Sequence, residues 1–333
     1  MIGTGPSTAQ VAPKIQPIVK KLTLFQRSPT YVFPRRDEPW SERYIWWFTW
    51  FPILLWGYHI YLYIQKERSR WNWYSGTEGQ AKMAKIALAH LDRSIKDPVL
   101  KAKLTPNHEF GCKRPLVLDD YYPTLEKPNV ELITNKPIRI TEDSIISDPP
   151  SLLPKSVLEK EPDGAYDVSP IADDHKELET KIDVLIWGTG FEMRDQGGFF
   201  QIYGVGGVNL HQLWGEEPEA YYGMFPSQFT VLTAGIHVSQ FPNYLIMFGP
   251  NSACPWANLT TLFETQAEYV TRVIRHIKKE SSRRDGSPYA MMVEEGAQKK
   301  FNEWIQSNMG AISIISPNCN NYYIVFPRFR GMS

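Results

Sequence analysis

The chain opens on a glycine turn, Met1-Ile2-Gly3-Thr4-Gly5-Pro6-Ser7-Thr8-Ala9-Gln10. Small residues here let the backbone turn sharply at the end of a strand and come close to a ligand. The helix that follows presents unpaired N–H groups and a positive dipole end to that ligand. The pattern predicts the end of a buried strand, a turn, and a helix running to about Lys20. Leu22-Thr23-Leu24-Phe25 follows as a short β-rich run. A strand, turn, helix and strand in that order form the front of a dinucleotide-binding unit and imply an α/β chain with a parallel sheet. Gly3, Thr4, Gly5, Ser7 and Gln10 are therefore candidate cofactor-binding residues. Taken alone, the turn also fits an ordinary glycine turn. The strand residues that should lead into Gly3 are expected upstream of residue 1.

Directly after the second strand stand Gln26-Arg27-Ser28. In this fold the adenosine ribose lies there, and NAD-type sites place a carboxylate at that point. A cation and a hydroxyl suit a 2′-phosphate instead, which favours NADPH over NADH and makes Arg27 and Ser28 cofactor-binding candidates. A solvated surface arginine is the plainer alternative for Arg27.

Composition narrows the partners. The 36 Lys plus Arg offset the 36 Asp plus Glu, with no block of like charge, so nothing points to nucleic acid. With 42% apolar residues over 333 positions, disorder and collagen are excluded, and two domains are expected. The three cysteines, Cys112, Cys254 and Cys319, lack C-x-x-C spacing, so neither a disulfide framework nor a zinc site is expected, and no metal is. A reducing, cytoplasmic setting fits, and no signal peptide is visible.

Farther along, residues 44–65 carry no formal charge and read Ile45-Trp46-Trp47-Phe48-Thr49-Trp50-Phe51-Pro52-Ile53-Leu54-Leu55-Trp56 at their centre. The length reaches the roughly 20 residues a spanning helix needs. Pro52, Gly57, His59 and the wealth of Trp and Tyr speak against a span, which leaves a buried or docking helix first, with an interfacial helix and a span as alternatives. Membrane contact through residues 45–64 stays open. Residues 78–103 read as one or two amphipathic helices broken near Asp97-Pro98. Asn129-Val130-Glu131-Leu132-Ile133 and Ile138-Arg139-Ile140-Thr141 read as strands, and residues 147–180 as an exposed loop. Ile182-Asp183-Val184-Leu185-Ile186-Trp187 and Asn243-Tyr244-Leu245-Ile246-Met247-Phe248 read as buried strands, each ending at glycine. A helix is expected from Leu259 to Lys279, capped by Asn258 or Thr260.

These residues resemble a family. Ile2-Gly3-Thr4-Gly5, Phe25-Gln26-Arg27-Ser28-Pro29-Thr30, Gly111-Cys112-Lys113-Arg114-Pro115-Leu116, Asp120-Tyr121-Tyr122, Gly188-Thr189-Gly190-Phe191, Phe241-Pro242-Asn243 and Gly249-Pro250-Asn251 occur in the order found in class B flavoprotein monooxygenases. The Lys-Arg-Pro segment and the downstream Tyr-Tyr are similar to the Baeyer-Villiger branch, typified by cyclohexanone and phenylacetone monooxygenases. The resemblance implies two Rossmann-like domains, for FAD and NADP(H), with a helical insertion. The chain would divide into residues 1–34 and 106–187 for NADP, 35–105 for the insertion, and 188–333 for the C-terminal part of the FAD domain.

It also implies the reaction. NADPH reduces FAD, O2 adds to the flavin, and the peroxyflavin turns an apolar ketone into an ester or lactone. Arg114 takes the place of the catalytic arginine that holds the negative peroxyflavin, a role that needs a permanent planar cation. Lys113 joins Arg27 and Ser28 at the 2′-phosphate. Thr189, Gly190 and Phe191 lie close to FAD, and Gly249, Pro250 and Asn251 lie toward the flavin pyrimidine edge. The family's N-terminal FAD fingerprint and its Phe-x-Gly-x-x-x-His-x-x-x-Trp signature are expected before residue 1, so the fold reads as N-terminally truncated. N- or S-oxygenation by a related flavoprotein is an alternative, as is a non-catalytic, NADP-binding or membrane-associated remnant. Oligomeric state is not legible.

Overall fold

A computed structural model describes residues 1–35, 37–148, 177–190, 200–215, 218–221, 235–252, 256, 258–284, 287–316 and 319. Packing divides the chain into two compact units, Met1–Pro39 with Ala81–Phe191, and Trp40–Gln80 with Glu192–Ser333.

In the first unit the opening turn leads into helix α1 (Pro6–Ile15), followed by strands β1 (Leu22–Phe25) and β2 (Val32–Phe33). Helix α1 stops short of Lys20. Pro13 lies inside it and Pro17 just beyond, two residues without an N–H to donate, and the chain tightens into a 3-10 turn over Gln16–Ile18. After helices α2 (Glu42–Trp50) and α3 (Pro52–Arg68), which belong to the second unit, come α4 (Glu78–Ser94) and α5 (Pro98–Leu104). The break between α4 and α5 falls where the sequence places it. Asp97 caps α5 by accepting from the Val99 N–H at 2.9 Å, and Pro98 fills the first helical position. Next come β3 (Leu116–Val117), α6 (Tyr121–Leu125), β4 (Val130–Ile133), β5 (Pro137–Ile140), β6 (Ser144–Ser147) and β7 (Leu178–Lys181).

Strand β1 pairs in parallel with β4 on one side and with Ile2 on the other, and Ile2 also bridges Trp187 in parallel. In space the third segment of the chain thus precedes the second, then the first, then the fourth. This 3-2-1-4 arrangement is that of a doubly wound dinucleotide-binding sheet, with its switch point beside the opening turn. Ala9 and Ala12 of α1 pack with Leu22 and Leu24 of β1, Leu91 and Ile95, and Tyr121, Tyr122 and Leu125 of α6 to make the main core. Burying an Ile or Leu of this kind contributes about 1.5–3 kcal/mol. Strands β2 and β3 form a separate parallel pair, and β5, β6 and β7 an antiparallel meander with β6 buried throughout.

Other expectations also need correction. Residues 182–187 are not a buried strand: Val184 and Trp187 are exposed, and only the Trp187 bridge to Ile2 joins them to the sheet. Leu185 and Ile186 each pack partly against a core cluster, but that cover does not extend over Val184 or Trp187, so the run is only partly buried. The ends of the 147–180 loop are strands, since Ser147 closes β6 and residues 178–180 belong to β7; its residues 149–176 lie outside those described. Cys112, fully buried, and Cys319 are half-cystines, so the cysteines are not without disulfide chemistry.

The second unit contains α2, α3, α7 (Leu210–Trp214), α8 (Leu259–Arg283) and α9 (Glu295–Met309). Asn258 caps α8, which runs past Lys279 to Arg283 and buries Leu262, Gln266 and Val273 along one face. Residues 243–248 form turns instead of the expected strand. Asn243 and Phe248 both take positive φ, 59° each, which stops extended pairing at either end, and only Leu245 bridges His237.

Helix amides clamp these irregular segments. Gln266 accepts from the Phe248 N–H at 2.9 Å, and Gln298 accepts from the Ser239 N–H at 2.7 Å. Asn302 donates to the Ala220 carbonyl at 3.2 Å. His237 is buried against Tyr269, 2.7 Å from its hydroxyl, and burial pulls its pKa below the ordinary 6.5. An unfolded chain therefore takes up the proton more readily than the folded one. The stability contributed by neutral His237 is present above pH 6.5 and is lost as pH falls through the lowered folded value. Thermal melting of the chain across this range is expected to show the loss, and His237→Gln to remove that component; an identical acid slope in both would contradict the assignment.

Candidate nucleotide and active site

The site is built at the carboxyl edge of the parallel sheet in the first unit. Ile2 donates to the Ile186 carbonyl at 3.0 Å, Gly3 to the Phe25 carbonyl at 2.9 Å, and Gly188 to the Ile2 carbonyl at 2.8 Å. Three chain segments therefore meet at the opening turn, and they meet so closely that side chains do not fit. A Cβ on Gly3 would stand 2.3 Å from the Gly188 carbonyl oxygen, at a φ of +99°. A Cβ on Gly188 would stand 2.0 Å from Thr8 Oγ1. These glycines serve the contact between segments. Gly5 differs, because nothing lies within 4 Å of where its Cβ would be.

Helix α1 begins beside this contact with Gly5 at its N-cap, Pro6 in its first turn, no side-chain cap and no acidic residue in that turn. Its first N–H groups, including that of Ser7, lack side-chain partners and point along a positive dipole end, which suits a diphosphate. Thr4 is half-buried in the turn, Ser7 is exposed, and Gln10 returns its amide to the Pro6 carbonyl at 3.2 Å. Thr8, which the sequence reading left out, is buried in the same turn, and its Oγ1 has no hydrogen-bond partner among the described residues.

From Phe25 the chain continues into buried Gln26, whose amide donates to the Lys103 carbonyl at 2.7 Å, and then into exposed Arg27 and half-buried Ser28. The ammonium of Lys113 hydrogen-bonds Ser28 Oγ. Burial, and secondly the nearby Arg27 cation, hold the Lys113 pKa below the usual lysine value of 10.5. Neither Arg27 nor Lys113 has a carboxylate partner among the described residues. Two cations and a hydroxyl thus converge on one spot of the sheet edge. That arrangement fits the 2′-phosphate of NADP(H), and the bare α1 terminus fits its diphosphate.

Arg114 follows Lys113 and is exposed. Its carbonyl accepts from Thr30 Oγ1 at 3.2 Å, and its guanidinium makes no ion pair among the described residues. Tyr31, next to Thr30, donates to the His108 carbonyl at 2.8 Å and fixes the approach of this segment. The neighbouring Tyr121 and Tyr122 are core residues, and burial pushes both phenols up, so they stay neutral.

Thr189 and Gly190 are exposed at the strand-end turn with open space over Gly190, while Phe191 lies outside the described residues. The structure thus groups Gly3 and Gly188 at one contact, with Gly5 beside it at the start of α1, and Arg27, Ser28 and Lys113 at another on the same sheet edge. Gly249, Pro250 and Asn251 sit in the second unit. A Cβ on Gly249 would be 2.2 Å from the Gly235 carbonyl, and Asn251, at φ 62°, donates to Asn302 at 2.9 Å. Packing within their own unit accounts for both residues. For FAD, the described residues offer the turn at Gly190 but no second helix opened by glycines. No group of three or more His, Cys, Asp or Glu among the described residues could hold a metal.

No family model matches the chain. It is 31% identical over 326 residues to an FAD-binding monooxygenase of Botryotinia fuckeliana, covering 97% of this chain and 54% of that one. To a Baeyer-Villiger monooxygenase of Pseudomonas aeruginosa it is 27% identical, over 97% of this chain and 53% of the relative. Among solved structures, OTEMO with FAD and NADP superimposes with a TM-score of 0.68 at 22% identity, over 95% of this chain and 57% of that one. An open form of cyclohexanone monooxygenase gives 0.64 at 21%, over 97% and 62%. The chain is thus, over nearly all of its length, a relative of the FAD-binding and Baeyer-Villiger monooxygenases with the fold of these two-nucleotide-domain flavoproteins, and it spans about half their length.

Proposed function

We propose that the chain carries the NADPH-binding part, and a portion of the FAD-binding part, of a monooxygenase that inserts one oxygen atom of O2 into an apolar ketone to give an ester or lactone. The observation that carries this reading is the pair of cations at Lys113 and Arg27 beside the Ser28 hydroxyl, on the same sheet edge as a helix start without a side-chain cap. Its relatives' names support the reaction class.

In this reading residues 1–34 and 106–187 form the nucleotide domain and residues 188–333 the flavin-binding remainder. The N–H groups of Ser7 and Thr8 take the diphosphate, worth about 0.3–2 kcal/mol at a helix start. Gly3, Thr4 and Gly5 hold the turn close to it, and Gln10 braces the first helical turns from the Pro6 carbonyl. Lys113, Arg27 and the Ser28 hydroxyl take the 2′-phosphate. Arg114 supplies a planar guanidinium cation where negative charge develops during oxygen transfer. FAD, when bound, supplies the oxygen-activating chemistry. Thr189, Gly190, Phe191, Gly249, Pro250 and Asn251 are proposed to border it.

The test supplies the purified chain with FAD, NADPH and air, and offers an apolar cyclic ketone and a thioether side by side. Lactone formed from the ketone, dependent on NADPH, is the expected product. Sulfoxide without lactone would overturn the proposed reaction, and NADPH oxidation without either product would overturn oxygen transfer by this chain.

A further inference from the structure

The aromatic run at residues 44–65 is neither a core helix nor a single helix. It breaks at Phe51-Pro52 into α2 and α3, and neither helix has a buried residue. The two are tied together by their own rings: Trp40 meets Tyr44, Phe48 and Tyr58 edge-on at 5.3–5.7 Å. The rest of the apolar surface points away from this seam. Ile53 is 73% exposed and Trp56 66%, and Leu54 and Leu55 between them are exposed as well. Successive helix residues are about 100° apart, so these four positions sweep most of the way around α3. Trp46 and Trp50 extend the surface onto α2.

That distribution selects the occupant. A protein partner, including a second copy, covers one face of a helix, whereas an apolar liquid wraps all of it. Composition agrees, because Trp and Tyr outnumber Leu here, as they do where protein meets the headgroup level of a bilayer. The helices do not span. No helix among the described residues is long and apolar enough to cross a membrane, and the apolar part of α3, residues 52–64, is only about 20 Å long against a hydrocarbon core of about 30 Å. Charge adds a direction. No acidic residue interrupts residues 44–65, and Arg43, Lys66, Arg68 and Arg70 flank them against Glu42 and Glu67, leaving the border net basic. Basic residues at such a border are drawn to anionic headgroups.

The geometry points to the α2–α3 hairpin as a lipid-docking element that sinks its aromatic tip into the surface of a bilayer containing anionic phospholipid, without crossing it. The test is co-sedimentation of the full chain with vesicles of phosphatidylcholine alone and of phosphatidylcholine with phosphatidylserine, together with quenching of Trp emission by brominated acyl chains. Sedimentation with the anionic vesicles and quenching by the bromolipid are expected. Trp50→Ser with Ile53→Ser and Trp56→Ser, all at exposed positions, is expected to weaken binding roughly a hundredfold or more while leaving far-UV circular dichroism unchanged. Protein that stays in solution with both vesicle types would overturn the proposal. So would concentration-dependent self-association that shields the tryptophans without lipid, since a second copy would then be the occupant. Equal binding to both vesicle types would overturn the anionic preference.

Discussion

Gly3→Ala is expected to lower the stability of the first unit by about 4 kcal/mol, from overpacking and backbone strain together, and its melting temperature by about 10 °C. The added methyl would lie 2.3 Å from the Gly188 carbonyl oxygen, a backbone atom that no rotamer change can move. It would also force alanine to hold a φ of +99°. Ile2 is the strand that joins β1 to Trp187, so separating Gly3 from Gly188 opens the centre of the sheet. Gly5→Ala, two residues away, is the control. Its Cβ meets nothing within 4 Å, and at a helix N-cap the exchange costs less than about 1 kcal/mol. That methyl would occupy the space assigned to the diphosphate, so nucleotide affinity is expected to fall with little change in melting. Thermal melts and NADPH titrations of both variants check this pair of outcomes. A Gly3→Ala variant as stable as the parent would contradict the described contact.

The second large effect is on nucleotide discrimination. Arg27→Ala combined with Lys113→Ala is expected to weaken NADPH binding about a hundredfold and to leave NADH binding nearly unchanged. Charge-assisted hydrogen bonds contribute about 1.5–3 kcal/mol each, and the two cations act on one phosphate, so the effects do not simply add. Stability should suffer little, because burial and Arg27 already disfavour the charged form of Lys113 and neither cation has a carboxylate partner among the described residues. The pH dependence follows from the same shift. NADPH preference draws on the Lys113 ammonium, so it declines as pH rises through the lowered pKa, sooner than an ordinary lysine at 10.5 would allow. Bound phosphate favours the ammonium and draws the pKa back up, so binding takes up protons in that range. Calorimetry in buffers of different ionisation enthalpy measures that uptake; none at alkaline pH would remove Lys113 from the site.

Local chemistry made the nucleotide half of the site legible. A glycine turn ahead of a helix, the strand at Leu22–Phe25, the Asp97-Pro98 break and the Asn258 cap are decided by neighbouring residues, and the structure has each of them. Lys113 beside Ser28 is separated from it by 85 positions, and only the family resemblance brought the two together beforehand. What stayed hidden depends on distant cover. Residues 182–187 have the apolar pattern of a buried strand, yet only Ile182, Leu185 and Ile186 pack against a core cluster while Val184 and Trp187 are exposed. Residues 243–248 carry β-prone side chains, but two left-handed residues, which pattern alone does not reveal, turn them away from pairing. Thr8 escaped notice because a threonine in a helix's first turn is ordinary. Its place against Gly188 is a tertiary fact. Gln266, Gln298 and Asn302 left a faint signal, amides at helical spacing on otherwise apolar faces, which in retrospect mark the clamp on irregular chain.

The central claim is that the edge of the 3-2-1-4 sheet is a site for a 2′-phosphorylated dinucleotide. It is tested most directly by titrating the purified chain with NADPH and NADH at neutral pH and reading the two affinities side by side. The account predicts saturable NADPH binding at least roughly tenfold tighter than NADH, the least that one charge-assisted contact to the 2′-phosphate supplies. Equal affinities would contradict it, as would an NADPH affinity unchanged by loss of both Arg27 and Lys113.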